Sequence, residues 1–421
     1  MNLINFKEEI LNSDAFAALY GEDAVDVQKE RYIAAVSKFC TLFPKHSDAK
    51  IFSAPGRCEI GGNHTDHQCG RVVAAAVDLD IIAVVGFHNE GVIRVMSEGH
   101  APTKIFLNDT EQNPADNGTT ALIKGIVHKF LERGVAIGGF DMYATSNVAC
   151  GGGVSSSAAF ETLIGTILNE QYNGGKATAF DIAQYGWFAE NVYYGKSCGL
   201  LDQTVCSYGG LVYIDFKGAQ PELEKIDFDF EKHGYAVCLT DTKSSHTDLT
   251  DDYVAIKKEM GQIANHFCKK VLREVNKDEF YNAIPVLRAL YSDRAVMRAI
   301  HFFEENERAL SEADALKNND IEKFLRLVNE SGISSGNLLQ NLYSTNSPTE
   351  QAVPLALYLS KQVLNGSGAV RVHGGGFGGT IQAFVPLEKL EKYKHSLERV
   401  FGKGSCCIIK IRPLGGVTVI K

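Results

Sequence analysis

Arg57, Glu59, His64, Asp66 and His67 fall within eleven residues of the segment Ala54-Pro55-Gly56-Arg57-Cys58-Glu59-Ile60-Gly61-Gly62-Asn63-His64-Thr65-Asp66-His67. A purely structural turn has no need of so many ionisable groups. Carboxylate, imidazole and amide side chains match a ligand whose hydroxyls both donate and accept. Arg57 offers something different, a guanidinium able to neutralise charge that develops on a transferring phosphoryl group. On the residues alone two other readings stay open: His64 and His67 as half-exposed loop histidines, or His64, Asp66 and His67 as metal ligands.

A second block, Gly151-Gly152-Gly153-Val154-Ser155-Ser156-Ser157-Ala158-Ala159, runs into an apolar helical pattern. Loop N–H groups and the positive end of the helix dipole then converge on one point, which suits a phosphate. Side chains would obstruct close backbone approach, and the serine hydroxyls can cap free N–H groups or reach a metal. The block is neither a Walker loop, since no Gly-Lys-Ser/Thr follows, nor a dinucleotide fingerprint, since the G-x-G-x-x-G spacing is absent. An ordinary helix start after a flexible loop is the alternative. The third block, His373-Gly374-Gly375-Gly376-Phe377-Gly378-Gly379, is backbone stripped of Cβ atoms between two strand patterns, Ala369 to His373 and Ile381 to Val385. A simple hairpin turn would not require so many glycines, so something is expected to approach it closely.

The elements that must position these blocks are legible in outline. Segments rich in Val, Ile and Phe, at Ile81 to Phe87, Gly210 to Phe216, Tyr235 to Thr240 and Ile408 to Ile411, predict strands. Phe160, Leu163, Ile164, Ile167 and Leu168 have helical spacing, as do Leu122, Ile123, Ile126, Val127, Phe130 and Leu131 before Gly134. From Leu249 to Leu364 helical pattern dominates, and strands return near Ala369. A chain of 421 residues exceeds what one hydrophobic core usually serves, so two domains are expected, with a boundary between Gly218 and Lys232.

With 42 Lys and Arg against 51 Asp and Glu, the net charge of −9 argues against a nucleic-acid partner held by bulk electrostatics. Ten scattered cysteines contain no C-x-x-C pair and no zinc-finger spacing, so they read as reduced thiols. The N-terminal residues do not form a secretory signal pattern. The apolar stretch from Val72 to Phe87 is cut by Asp78 and Asp80 and cannot cross a bilayer as one helix. A soluble, cytoplasmic protein with no membrane partner is expected.

The three blocks, in this order, resemble the three motifs of the GHMP small-molecule kinases, and the first resembles the galactokinase signature. The likeness extends to Leu19-Tyr20-Gly21 through Arg31-Tyr32, to Gly199-Leu200-Leu201-Asp202-Gln203, and to Asp320-Ile321-Glu322-Lys323-Phe324 with Asn329-Glu330-Ser331. The resemblance implies an α/β plus α+β fold, with an N-terminal domain over residues 1–225, a C-terminal domain over 226–421 and the active site in the cleft between them. It implies an ATP-dependent sugar 1-kinase using Mg²⁺. Asp202 would be the catalytic aspartate facing the anomeric hydroxyl, with Arg57 beside it. Asn63, His64, Asp66 and Tyr253 would bind the sugar, and Gly151, Gly152, Gly153, Ser155 and Ser156 the nucleotide. Ser157 and Glu190 match positions associated with the metal. Sugar and ATP are the expected partners of a monomer or weak homo-oligomer.

The chain departs from the family pattern at four places. The signature has Asn where this chain has Glu59, Glu where it has Asn63 and Tyr where it has His67, and the second block usually opens with Pro where Ala149 stands. In galactokinases the glutamate accepts a hydrogen bond from the C6 hydroxyl of galactose. Asn63 can still accept, but it also donates and carries no charge, so a C6 carboxylate would be less repelled. Galacturonate kinases also lack that glutamate and have a similar His64-Thr65-Asp66-His67-Gln68 element, which makes galacturonate the alternative substrate. If Glu59 returns negative charge to the pocket rim, galactose stays first. A catalytically silent sugar and ATP binder is a further alternative, disfavoured by the presence of both Arg57 and Asp202.

Overall fold

Two long strands carry the first block. Strand β1 (Lys50–Gly61) pairs antiparallel with β2 (Arg71–His88), from Lys50 opposite Val85 to Glu59 opposite Ala74. The register shifts between Pro55 and Arg57 and again between Glu59 and Gly61. These irregularities bracket Arg57 and Glu59, and bulges of this kind bend a strand and re-aim its side chains. The computed structural model describes residues 3–148, 153–196, 198–218, 220–244 and 249–421.

The apolar run that cannot be a membrane helix is β2, buried along most of both faces. Its C-terminal half pairs with β5 (Gly139–Ser146), which pairs in parallel with β3 (Val92–Ser97), and β3 pairs with β4 (Thr103–Phe106). The N-terminal half of β2 pairs with β6 (Leu211–Asp215), and β6 with β7 (Glu222–Ile226). A second, antiparallel sheet has the order β11-β8-β10-β9, with β8 spanning Tyr235–Asp241, β9 Ala369–Val372, β10 Thr380–Pro386 and β11 Cys406–Ile409. The last strand, β12 (Val417–Ile420), leaves the C-terminal half and pairs with β1 in the first sheet. A single cut near residue 225 therefore does not separate the two sheets.

The helical patterns are realised as Gly118–Glu132 and Ser156–Tyr172, whose apolar faces share one core with the first sheet. Between β8 and β9 the chain is helical, including Thr250–His266, the 25-residue Asp293–Lys317 and Ile321–Ser334. Among the described residues no helix is long and apolar enough to cross a membrane. Among the described residues no disulfide joins the cysteines.

Asp80, one of the two charges interrupting β2, is fully buried and binds Arg31 at 2.5 Å and Arg412 at 3.0 Å. Tyr20 and Ser53 donate to the same carboxylate. Burial alone would push this carboxyl up, but the two guanidinium groups and the two hydroxyls hold it below the ordinary value. One side chain in β2 thus ties the N-terminal helices to the segment preceding β12.

Candidate active site

Arg57 and Asp202 form a two-point ion pair. Nε and Nη2 of Arg57 donate to Oδ1 and Oδ2 of Asp202 at 2.6 and 2.9 Å. Nη1 donates to the carbonyl of Gly153 at 2.5 Å, and the Arg57 backbone N–H donates to the carbonyl of Val154 at 3.1 Å. Strand β1 is thereby fastened to the second glycine block on both sides of the guanidinium. Ser155, with a left-handed φ of 58°, turns its hydroxyl onto Asp202 Oδ2. Asp202 lies in the first turn of helix Leu201–Tyr208 and is 33% exposed, whereas Arg57 is nearly enclosed. Burial raises the Asp202 carboxyl, but Arg57 and Ser155 outweigh it and the group is held below the usual carboxylate range. It is therefore ionised at neutral pH.

Helix Ser156–Tyr172 begins at this point, so its N-terminal N–H groups face the same region. Ser157 Oγ donates to Glu190 Oε1 at 3.1 Å, and Lys196 Nζ donates to that same oxygen at 2.9 Å. Glu190 sits on a π-helical turn, Ala189–Tyr193, at the end of helix Ala179–Phe188. Gln203 Nε2 bridges Glu190 Oε2 and Glu161 Oε2 at 2.8 and 3.0 Å. Burial, then the Glu190 charge, pushes the Glu161 carboxyl well up. Hard oxygen donors at a helix N-terminus are a donor set that suits Mg²⁺ with phosphate. Gly151 and Gly152 lie outside the described residues, while Gly153, Ser155 and Ser156 lie at the entry to this helix.

Asp66 approaches from the other side. A Cβ at Gly199 would fall 1.9 Å from Asp66 Oδ2, so glycine is what lets the chain before Asp202 pass over this carboxylate. Burial, with the charges of Asp202 and Glu59, raises the Asp66 carboxyl to about 6. His64 Nε2 donates to the carbonyl of Gly375 at 2.9 Å, which fixes the proton on that nitrogen. This bond seats the third block on the first, and Tyr253 on helix Thr250–His266 holds it from the other flank, its hydroxyl donating to the carbonyl of Gly376 at 3.1 Å. A Cβ at Gly375 would fall 2.4 Å from the Tyr253 ring, which accounts for the bare backbone there. Among the described residues no group of three or more His, Cys, Asp or Glu side chains could hold a metal, so His64, Asp66 and His67 do not form the metal centre their spacing left open.

Asn63 differs from the expectation. It is fully buried, with Nδ2 donating to Glu59 Oε1 at 2.9 Å and to the carbonyl of Gly374 at 2.7 Å. Its Oδ1 accepts from Asn341 Nδ2 at 3.0 Å and Ser335 Oγ at 3.2 Å. Two donors and two acceptor positions are engaged, leaving the carboxamide nothing to offer a ligand. Glu59 is likewise internal: Arg371 Nη2 donates to its Oε1 at 2.7 Å, and both residues are buried. Arg371 holds Glu59 inside the protein rather than at an open rim, while the Glu59 charge still acts on Asp66.

Sequence reasoning thus located Arg57, Asp202, Ser155, Ser157 and Glu190, which the fold brings together, and His64, Asp66 and Tyr253 nearby. It passed over Glu161, Lys196, Gln203, Arg371 and Asn341. Arg371 had a visible signal, a lone charge inside the apolar strand pattern from Ala369 to Val372. Gln203 directly follows Asp202, whereas Glu161 sits inside an apolar helical stripe and gives no sign of its burial.

A model of the galactokinase galactose-binding signature matches residues 37–87, and a model of the GHMP kinases N-terminal domain matches residues 121–210. A curated galactokinase of Mannheimia succiniciproducens is 29% identical over 362 residues, spanning 85% of this chain and 90% of its own length. Among solved structures, Lactococcus lactis galactokinase complexed with galactose superposes with a TM-score of 0.79 at 21% identity, covering 92% of this chain and 99% of that one. Methanococcus jannaschii mevalonate kinase superposes with a TM-score of 0.60 at 17% identity, covering 87% and 99%.

Proposed function

We propose that this chain, a galactokinase-like GHMP kinase, transfers the γ-phosphoryl group of ATP to the C1 hydroxyl of galactose. The observation that carries the reading is the Arg57–Asp202 pair, bound at 2.6 and 2.9 Å and tied through Gly153 to the phosphate-type loop. An ionised carboxylate held beside the entry to helix Ser156–Tyr172 supports a phosphoryl-transfer site there. The likeness to curated galactokinase supports galactose as the acceptor.

In this reaction the C1 oxygen forms a bond to the γ-phosphorus, the bond to the ADP oxygen breaks, and the hydroxyl proton passes to Asp202. Positioning and electrostatics supply most of the catalysis. Arg57 gives three of its five N–H groups to Asp202 and Gly153, so it holds the carboxylate ionised and in place, and its charge acts on the transferring group. The N–H groups entering helix Ser156–Tyr172 face the phosphate oxygens. Ser157 and Glu190 would hold Mg²⁺, which neutralises charge on the β- and γ-phosphates when bound. The segments 1–225 and 226–421 are proposed as the two walls of the cleft, since Tyr253 and Gly374 to Gly376 come from the second and the other named groups from the first.

Replacing Asp202 with Asn tests the assignment. It should lower kcat by about 100- to 10,000-fold, the range for loss of a positioned acid or base, with galactose binding retained by calorimetry. Near-normal turnover would remove Asp202 from the chemistry. Loss of sugar binding as well would make the residue structural.

A further inference from the structure

Lys196 has no part in the reaction as described, yet it stands at the phosphate loop. Its backbone N–H donates to the carbonyl of Glu190 at 2.9 Å, and its side chain folds back so that Nζ reaches Oε1 of the same residue at 2.9 Å. That oxygen also accepts from Ser157 Oγ, in the first turn of helix Ser156–Tyr172. The Glu190 carboxylate is 4% exposed, but the Lys196 side chain is 60% exposed. An ammonium group with free donors is therefore anchored by main chain and side chain beside the N–H groups that face a phosphate. Its charge is also felt by Asp202 and by Tyr253.

The charge balance of the cleft calls for such a group. Arg57 commits three of its five N–H groups to Asp202 and to the carbonyl of Gly153, so most of its donors are spent before a phosphoryl oxygen arrives. The Lys196 ammonium lies on the exposed side of its pair with Glu190 and keeps N–H donors that this bond does not use. A divalent cation taking the Ser157 and Glu190 oxygens would repel the ammonium from Glu190 and leave phosphate oxygens as its counter-charge.

We infer that Lys196 is a catalytic residue of this chain, its Nζ contacting the γ-phosphate of bound ATP. The inference rests on the kinase reading above. ATP and ADP dissociation constants, measured by calorimetry with Mg²⁺ and again with EDTA, test it on the unmodified protein, Lys196→Gln and Lys196→Arg. The expected result is a loss of about tenfold or more in ATP affinity for Lys196→Gln, the scale of a hydrogen bond to a charged group, with ADP affinity unchanged and Lys196→Arg close to the unmodified protein. Unaltered ATP binding by Lys196→Gln would overturn the inference alone, and an equal loss for ATP and ADP would overturn the γ-phosphate contact. Failure of the unmodified protein to bind either nucleotide would overturn the kinase reading with it.

Discussion

Asn63 illustrates how much a single side chain's meaning depends on residues remote in sequence. The type of residue 63 was legible, and so was its exchange with residue 59 relative to the galactokinase pattern. Its orientation was not, because the groups that capture the carboxamide, Ser335, Asn341 and Gly374, lie 272, 278 and 311 positions away. Residues 59 and 63 bind each other, and with its donors and acceptor engaged inside the protein the Asn63 carboxamide no longer argues for a C6 carboxylate. Asn63→Asp would set a carboxylate oxygen against Glu59 and the carbonyl of Gly374, where Nδ2 now donates. Each buried group left without a partner costs about 1–3 kcal/mol, so urea unfolding should show a stability loss of at least that size. Unchanged stability would mean that the carboxamide does not point inward in solution. Asp66 gives a pH signature. With its carboxyl raised to about 6, it is protonated below that pH and accepts sugar hydroxyls less well. The KM for sugar should therefore rise as pH falls through about 6, with a smaller change in kcat, and Asp66→Asn should remove the inflection. For stability the sign is opposite. The folded carboxyl keeps a proton that an unfolded Asp releases near pH 3.9, so its contribution declines as pH rises from there to about 6.

At the scale of elements, period and composition were enough to find the strands within β2, β6, β8 and β11 and the helices Gly118–Glu132 and Ser156–Tyr172. Apolar spacing reports local geometry, and these elements have it. What spacing could not report is how an element is tied to others. Asp78 and Asp80 read only as interruptions of an apolar run, yet Asp80 joins Arg31 and Arg412, which lie 49 and 332 positions away. Removing one partner of a buried pair costs about 3–5 kcal/mol, and Asp80→Asn should lose that much in equilibrium unfolding. Because the folded carboxyl lies below its ordinary value, the stabilisation is complete above the unfolded pKa and is lost as pH falls through the folded one. The stability of the variant should therefore depend less on pH below about 4. A variant as stable as the parent would show that the hub is not an ion centre.

Across the whole molecule, reaction groups from the first sheet and its helices meet a loop of the second sheet through bonds that cross between them. His64 and Asn63 bind carbonyls of Gly375 and Gly374, and Arg371 on β9 binds Glu59 on β1. The first block and the third are thus one structure, an arrangement invisible in the sequence except as two glycine-rich segments about 310 residues apart, whose closeness depends on long-range contacts. The return of β12 to the first sheet was also hidden, since a short C-terminal apolar strand carries no label for its partner. The two-domain fold and the roles given to Arg57 and Asp202, in contrast, came from the resemblance of the blocks to the GHMP kinases, since Asp202 lies outside all three blocks.

The account stands most directly on the identity of the product. Purified protein with Mg²⁺ and ATP, offered galactose and galacturonate in parallel, should consume ATP with galactose, and phosphorus NMR should find the new phosphate on C1, coupled to the anomeric proton. Phosphate on another carbon, preference for the acid, or no transfer to either sugar would contradict it.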